Sequence, residues 1–290
     1  MVSPFSAGGN SDIVGRLIAP NLSQRLGQNV IVENRPGAGG AIGTNYVAKA
    51  TPDGHTLVVL TGAFTAVAAT VKNLPYDPVR DFSWVSLVVT YPFVLVVQNE
   101  SSLRSVSDYI AAAKKSPGKL VYGSVGTGSV FHLAAEMVNM MAGTETTHVP
   151  YKGGAEPMTE LMGGRIDAIF TTMTGAFPQI EAKRVRAIAV ASLQRSPQLP
   201  GVPTVAETLP GYEVTSFAGI AAPRGTPPAV VARLNRELRT VLAVPDISKR
   251  LSDSGGEVRP TSPEEARRHV EGEIAKWKRI VSERKIEVAN

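Results

Sequence analysis

Two stretches decide how this chain is read: Ser6-Ala7-Gly8-Gly9-Asn10-Ser11-Asp12-Ile13 and Ser124-Val125-Gly126-Thr127-Gly128-Ser129-Val130-Phe131. Each follows a short apolar segment, is rich in glycine and serine, and opens an amphipathic helical pattern. After the first, Ile13, Val14, Leu17, Ile18, Leu22 and Leu26 recur at helical spacing, Pro20 is placed to kink the helix, and Gly27 is placed to end it. A glycine-rich turn running into a helix leaves backbone N–H groups unpaired at the positive end of the helix dipole. It therefore attracts carboxylate or phosphate without any charged side chain. The two stretches lie about one domain length apart. The repetition predicts two α/β lobes, each presenting one anion-binding loop to a ligand cleft between them, because open parallel sheets bind ligands outside the carboxyl ends of their strands.

Outward from these loops, strand and helix patterns alternate, as in βαβ units with a mainly parallel sheet. Strands are predicted over 29–33, 56–60, 84–89, 93–97, 119–122, 146–149, 166–170 and 186–191, and an apolar segment over 214–222. Helices are predicted to open at Ala41, at Ser105 with Asp108 in a capping position, and at Ser129, Ala155 and Gly175. Beyond the prolines Pro197, Pro200, Pro203 and Pro210 the tail reads as helical over 228–242, 246–252 and 263–284.

Composition narrows the function classes. The chain has 290 residues, 43% hydrophobic and 19% charged, which suits a packed body of about two domains rather than a disordered or fibrous one. The apolar runs 57–71 and 85–97 are shorter than the ~18 to 20 apolar residues of a spanning helix. There is no cysteine, so thiolate metal sites, disulfides and cysteine nucleophiles are excluded. The net charge of +5 arises from 30 basic and 25 acidic residues interleaved along the chain, and the dense run from Arg267 to Lys285 carries Glu271, Glu273 and Glu283 among its bases. That is a solvated helix face, with no nucleic-acid stripe. Met1 to Phe5 runs straight into the glycine loop without a signal peptide's basic and apolar regions, which leaves a cytoplasmic protein or one whose export signal has been removed.

Catalytic signatures are weak. Gly37-Ala38-Gly39-Gly40-Ala41-Ile42-Gly43 has Ile42 where a dinucleotide fingerprint needs its third glycine, and reads as a structural loop. No P-loop lysine is present, and Tyr122 replaces the first glycine of a serine elbow. His55, His132, His148 and His269 show no metal-ligand spacing, and no catalytic or metal residue and no cofactor is assigned. His132 stands out among them only because it lies near the first turn after the second loop. Asp12 is either an acceptor for a ligand amine or a residue favoured at a helix start by the dipole. Trp84, Trp277 and the Met137, Met140, Met141 cluster read as packing residues.

Five separated strings carry a family resemblance: Pro4-Phe5-Ser6-Ala7-Gly8-Gly9-Asn10-Ser11-Asp12, Glu33-Asn34-Arg35-Pro36-Gly37-Ala38-Gly39-Gly40, Thr51-Pro52-Asp53-Gly54, Val149-Pro150-Tyr151-Lys152-Gly153-Gly154 and Pro223-Arg224-Gly225-Thr226-Pro227. In this order they resemble the Bug family of extracytoplasmic solute-binding proteins, the TctC-like receptors of tripartite tricarboxylate transporters. The resemblance covers essentially the whole chain. It implies a two-lobed, type II-like Venus-flytrap periplasmic binding protein, α/β in class, with two α/β domains joined by two crossing strands over 93–97 and 214–222. Lobe 1 would comprise 1–97 with 219–290, and lobe 2 would comprise 98–218. It further implies a non-enzymatic receptor in the periplasm. Such a receptor would close by a hinge on a dicarboxylate, tricarboxylate or acidic amino acid, and would be served by integral membrane permease subunits or a sensor protein.

By motif, the resemblance places Phe5, Ala7, Gly8, Gly9, Ser11 and Asp12 in the first-lobe loop, and Ser124, Gly126, Thr127, Gly128 and Ser129 in the second. Thr61, Gly62, Lys152, Gly153, Thr171 and Thr172 are further ligand-binding candidates by position. Relatives carry a fuller strand before Pro4, so the first strand here is expected to be short or missing. The competing reading is an α/β transferase or isomerase that uses the same loops for a phosphorylated substrate, with Asp12 or His132 as acid or base. A scaffold role would leave the doubled loops without a purpose.

Overall fold

The computed structural model describes residues 1–151, 153 and 155–287. In chain order its elements are β1 (Val2–Ser3), α1 (Asn10–Leu26), β2 (Glu33–Asn34), α2 (Ala41–Ala48), β3 (Val58–Thr61), α3 (Gly62–Thr70), β4 (Phe82–Gln98), α4 (Val106–Lys115), β5 (Val121–Ser124), α5 (Val130–Ala142), β6 (Thr147–Pro150), α6 (Glu156–Met162), β7 (Ala168–Thr172), α7 (Met173–Glu181), β8 (Val185–Val190), β9 (Thr215–Pro223), α8 (Pro228–Leu242), α9 (Pro245–Asp253), β10 (Glu257–Val258) and α10 (Pro263–Glu283). Two compact units emerge, the first from Met1–Thr90 with Phe217–Trp277, the second from Tyr91–Ser216 with residues 278–287. These breaks differ from the expected 97/98 and 218/219. The end of the tail joins the second unit because Arg284 donates to Glu136 at 2.6 Å and to Glu145 at 3.0 Å, both residues of that unit.

In the first unit the strand order is β2-β1-β3-β9-β4, with β10 also on β4. The first strand is present and short: Val2 pairs in parallel with Glu33 on one side and Val58 on the other. β1 pairs in parallel with both β2 and β3. β9 runs antiparallel to β3 and β10 antiparallel to β4, so these two strands depart from the expectation of a mainly parallel sheet. The strand that carries the chain back into the unit, β9, runs opposite to β3. β4 is one strand where two were predicted. Pro92, the expected break, lies between the residues that pair with β10 (Val89, Thr90) and those that pair with β7 (from Phe93), where no ladder N–H is demanded of it.

Sequence patterning missed α3 because its run of Gly, Ala, Phe, Thr and Val is apolar all round and follows β3 without a turn residue. Burial on all sides is what such a helix needs. Its Phe64 packs against Tyr76, Phe82 and Trp84 with ring centroids 6.2, 5.8 and 6.0 Å away. Its Thr65 Oγ1 accepts from the fully buried Trp277 Nε1 at 3.2 Å. Both tryptophans are thus core residues, as read from the sequence.

The Gly37–Gly43 stretch is a structural loop: a 3-10 turn at Ala38–Gly40 feeds α2. Gly43 is fixed by close approach, since a Cβ there would meet the Arg35 carbonyl oxygen at 2.6 Å and the Pro4 Cα at 2.9 Å, both backbone atoms. Gly43→Ala is therefore expected to destabilise the first unit by about 1–3 kcal/mol, as overpacking does. Denaturant unfolding measures this, and a change below a few tenths of a kcal/mol would show that the Pro4 segment yields freely.

The second unit repeats the plan. Its order is β4-β7-β5-β6 with β8 also on β4. β5 is parallel to β6 and β7, and β4 antiparallel to β7 and β8. Its core gathers Val94, Val96, Leu161, Ile169 and Val190, and the buried Tyr212 hydroxyl donates to the Ala134 carbonyl at 3.0 Å.

Candidate functional site: a glycine loop in each unit

In the first unit the chain leaves β1, turns through Pro4 to Gly9 and enters α1. Gly8 has φ +81, the left-handed region where only glycine is free of strain. Its N–H donates to Asp12 Oδ2 at 2.9 Å, and the Gly9 N–H donates to the Ser6 carbonyl at 3.1 Å. Gly9 caps α1 in an extended conformation with no side-chain acceptor, so the first-turn N–H groups are left for a ligand or solvent. Asp12 itself is 3% exposed. Its Oδ1 accepts from Arg16 Nε and Asn34 Nδ2, each at 2.9 Å, and Asn34 Nδ2 also donates to the Phe5 carbonyl at 3.0 Å. The Arg16 guanidinium, helped by the Gly8 N–H and the Asn34 amide, outweighs burial and holds the carboxyl below its ordinary range. Ser11 is fully buried and shares a 2.8 Å hydrogen bond with Ser3. Of the predicted residues, Ser11 and Asp12 thus spend their side chains shaping the loop. Ala7 and Gly8 are exposed at its crest. Phe5 covers Gly40, where a Cβ would lie 3.1 Å from its ring.

The second unit builds the same device on β5 and α5. Ser129 caps α5 and accepts from the His132 N–H at 3.3 Å, while its hydroxyl donates to the Gly126 carbonyl at 2.7 Å. The Gly126 N–H donates to Ser124 Oγ at 3.1 Å, and Gly126 and Gly128 have φ of +123 and +77. The Gly128 N–H donates to His132 Nδ1 at 3.0 Å. Gly128 therefore stands where Gly8 does, Ser129 where Gly9 does, and His132 where Asp12 does. The anchor in each loop is the glycine whose N–H meets a side chain four residues ahead. Thr127 is exposed at the crest.

The other candidates fall at the carboxyl ends of neighbouring strands. Thr61 ends β3 and Gly62 begins α3; Thr171 and Thr172 end β7. Thr172 Oγ1 accepts from the Gly175 N–H at 3.3 Å. Gly153 follows β6, whose Pro150 is in register with Ser124. Lys152 lies outside the described residues.

Sequence reading passed over what lies behind the second loop. The rings of His132 and His148 stack with centroids 3.9 Å apart and an interplanar angle of 16°. His148 Nε2 is 2.7 Å from Ser124 Oγ. Beneath them the Tyr122 hydroxyl donates to Glu136 Oε1 at 2.7 Å, Asn139 Nδ2 donates to the same oxygen at 3.0 Å, and Arg284 Nε donates to Oε2 at 2.6 Å. Burial pushes the His148 imidazole down to about 4, with His132 adding to the fall and Glu136 opposing it. Burial likewise lowers His132 against Glu136. At Glu136 burial works against the charge, but the Tyr122 hydroxyl and Arg284 outweigh it and hold the carboxyl below its usual range. The one available signal was the shared spacing of Gly8 to Asp12 and Gly128 to His132.

Two α/β units, each with a pinned glycine loop opening a long helix, define a two-lobed binding protein. Residues 14–286 match the family of receptors described as "Tripartite tricarboxylate transporter family receptor", and the chain belongs to that family. The resemblance read from the five strings is borne out. A protein encoded in the tcbD-tcbE intergenic region of a Pseudomonas strain is 40% identical over 97% of this chain and 84% of its own length. An R. palustris protein solved with adipate is 37% identical, with a TM-score of 0.84 over 98% of this chain and 96% of that one. MatC from Rhodopseudomonas palustris, solved with bound malate, is 34% identical, with a TM-score of 0.81 over 97% of each chain.

Proposed function

We propose that this protein is the periplasmic solute receptor of a tripartite tricarboxylate-type transporter and that it takes a small carboxylate. The ligand class is a dicarboxylate, a tricarboxylate or an acidic amino acid. Hinge closure holds the ligand, and the closed receptor delivers it to integral membrane permease subunits or reports it to a sensor protein. A ligand shifts such an equilibrium only by its preference for the closed form.

One observation carries the reading: in each unit a glycine N–H is tied to a side chain four residues ahead, which fixes a glycine loop at the N-terminal end of α1 and of α5, where helix N–H groups and the dipole favour an anion. Such donors suit an anion whose charge is spread over carboxylate oxygens. The hydroxyls of Thr61, Thr127 and Thr171, which have no protein partner among the described residues, suit the same ligand. Adipate and malate, found on the two relatives, are of this class. The enzyme reading finds less support, because Asp12 and His132, its two candidate acids or bases, are both occupied in holding glycine amides.

The test is calorimetry and thermal shift with adipate, L-malate, citrate, L-aspartate and a panel of sugar phosphates. A ligand at ~100 times its Kd adds about 2.7 kcal/mol to native stability, a shift of several degrees. One or more carboxylates are expected to shift the melt and to be recovered unchanged. A shift confined to the phosphates, or turnover of the bound compound, would replace the receptor by the enzyme.

A further inference from the structure

The two loops are built alike but anchored by different chemistry. In the first, Gly8 is held by the Asp12 carboxylate, which stays ionised well into acid because Arg16, Gly8 and Asn34 all donate to it. In the second, Gly128 is held by an imidazole nitrogen. A ring nitrogen that accepts an N–H carries no proton, so His132 is neutral, with its hydrogen on Nε2. If Nδ1 gains a proton, two N–H groups face each other across 3.0 Å and one must move. The Gly128 backbone, already at φ +77, is the part free to turn.

The surroundings favour the neutral ring. From β6, His148 stacks face to face on His132, and two cations at that separation repel. From β5 come the Tyr122 ring and the Ser124 hydroxyl, and the hydroxyl meets His148 Nε2. From α5 comes Glu136, the negative group in reach, but its oxygens are taken by Tyr122, Asn139 and Arg284, and the Arg284 guanidinium offsets its charge. Arg284 is tied in turn to Glu145. A proton on either ring is therefore poorly compensated, and the first ring to gain one disfavours the second.

We propose that neutral His132 is the positioning residue of the second glycine loop, and that its protonation frees Gly128 and weakens carboxylate capture, making this receptor release its ligand in mild acid. The ligand half of this inference rests on the carboxylate reading above; the loop half does not. The sign follows from linkage. Binding stabilises the neutral ring, so lowering pH through the titration of the free receptor costs affinity. The first loop, anchored by Asp12, contributes no such loss over the same range.

The experiment compares wild type with His132→Asn, whose amide oxygen accepts from Gly128 but does not titrate, and His132→Phe, which keeps a ring and loses the acceptor. Nitrogen-15 NMR of the wild-type ring at pH 7.5 is expected to show an unprotonated Nδ1. Hydrogen exchange is expected to show Gly128 protection kept in the Asn variant and reduced at least tenfold in the Phe variant. Calorimetry with adipate and L-malate is expected to show affinity falling several-fold more between pH 7.5 and 5 in wild type than in the Asn variant, whose own loss carries the ligand's titration. A proton on Nδ1 at pH 7.5, unchanged Gly128 protection in the Phe variant, or an equal pH loss in wild type and the Asn variant would each overturn the proposal. If neither dicarboxylate binds at any pH, the carboxylate reading fails, and the ring and exchange measurements still decide the role of His132. If the Phe variant does not fold, the ring spectrum and the Asn variant decide it.

Discussion

Gly8→Val and Gly128→Val are expected to cut carboxylate affinity at least a hundredfold while leaving both units folded. Both glycines sit in the left-handed region, at φ +81 and +77, where a residue carrying a Cβ is strained by about 1–2 kcal/mol and a β-branched one by more. Space does not forbid the change at Gly8, because a Cβ there would touch nothing within 4 Å. At Gly8 the cost therefore falls on conformation, and the loop relieves it by rotating the peptide whose N–H is tied to Asp12; at the buried Gly128 the strained peptide is the one tied to His132. Rotation misdirects the neighbouring amides, and hydrogen bonds to a charged ligand carry about 1.5–3 kcal/mol each, so losing two of them accounts for the expected factor. The controls are Gly27→Val and Gly118→Val, at φ +69 and +72 and likewise with open space around the Cβ. Gly27 ends α1 and Gly118 lies in the turn after α4, so these variants carry the same backbone strain away from the loops. Titration calorimetry on the four variants, with thermal melts alongside, checks the expectation. If the controls lose as much affinity as the loop variants, strain alone explains the effect and the loops are not the site.

What the sequence disclosed followed from local rules. Gly27 ends α1 in the left-handed conformation, Ser105 accepts from the Asp108 N–H at 3.1 Å, and α8 has the predicted bounds, because caps, proline positions and helical periodicity are written over a few neighbouring residues. The glycine loops were legible for the same reason. What escaped was set by partners far along the chain. Asn34 reaches back to Asp12 and Phe5, His148 comes to lie on His132 only when β6 pairs with β5, and Arg284 closes on Glu136 from the far end of the sequence. The run from Arg267 to Lys285 reads as a solvated face, and most of it is one; no local pattern separates Arg284 from Arg279, whose partner Glu283 is one turn away. Asp12 is the instructive middle case. Its place at a helix start was visible, but its choice between ligand amine and loop amide depended on Arg16, Gly8 and Asn34 meeting around it.

That distant partner gives the second large effect: Arg284→Met is expected to destabilise the second unit by about 3 kcal/mol, although Arg284 stands near the end of the chain. The side chains of Arg284 and Glu136 are only 18% and 9% exposed. Removing the cation strands a buried carboxylate, which costs about 3–5 kcal/mol in such pairs, the lower figure applying here because Tyr122 and Asn139 still donate to it. The exposed pair Arg195 and Glu207 supplies the contrast, since Arg195→Met should cost about 1 kcal/mol or less. Glu136→Gln in the Arg284→Met background should recover much of the loss by removing the stranded charge, and a double-mutant cycle isolates that coupling. The pair also lies under the histidines, so the single variant is expected to raise the proton affinity of His132, because Glu136 would face it without its cation. Hydrogen exchange in β5 and α5 reads the stability change locally, and ring NMR reads the titration. A loss no larger than that of Arg195→Met would mean that the end of α10 and the residues after it are an accessory to the second unit, and that the floor of its glycine loop is held by Tyr122 and Asn139 alone.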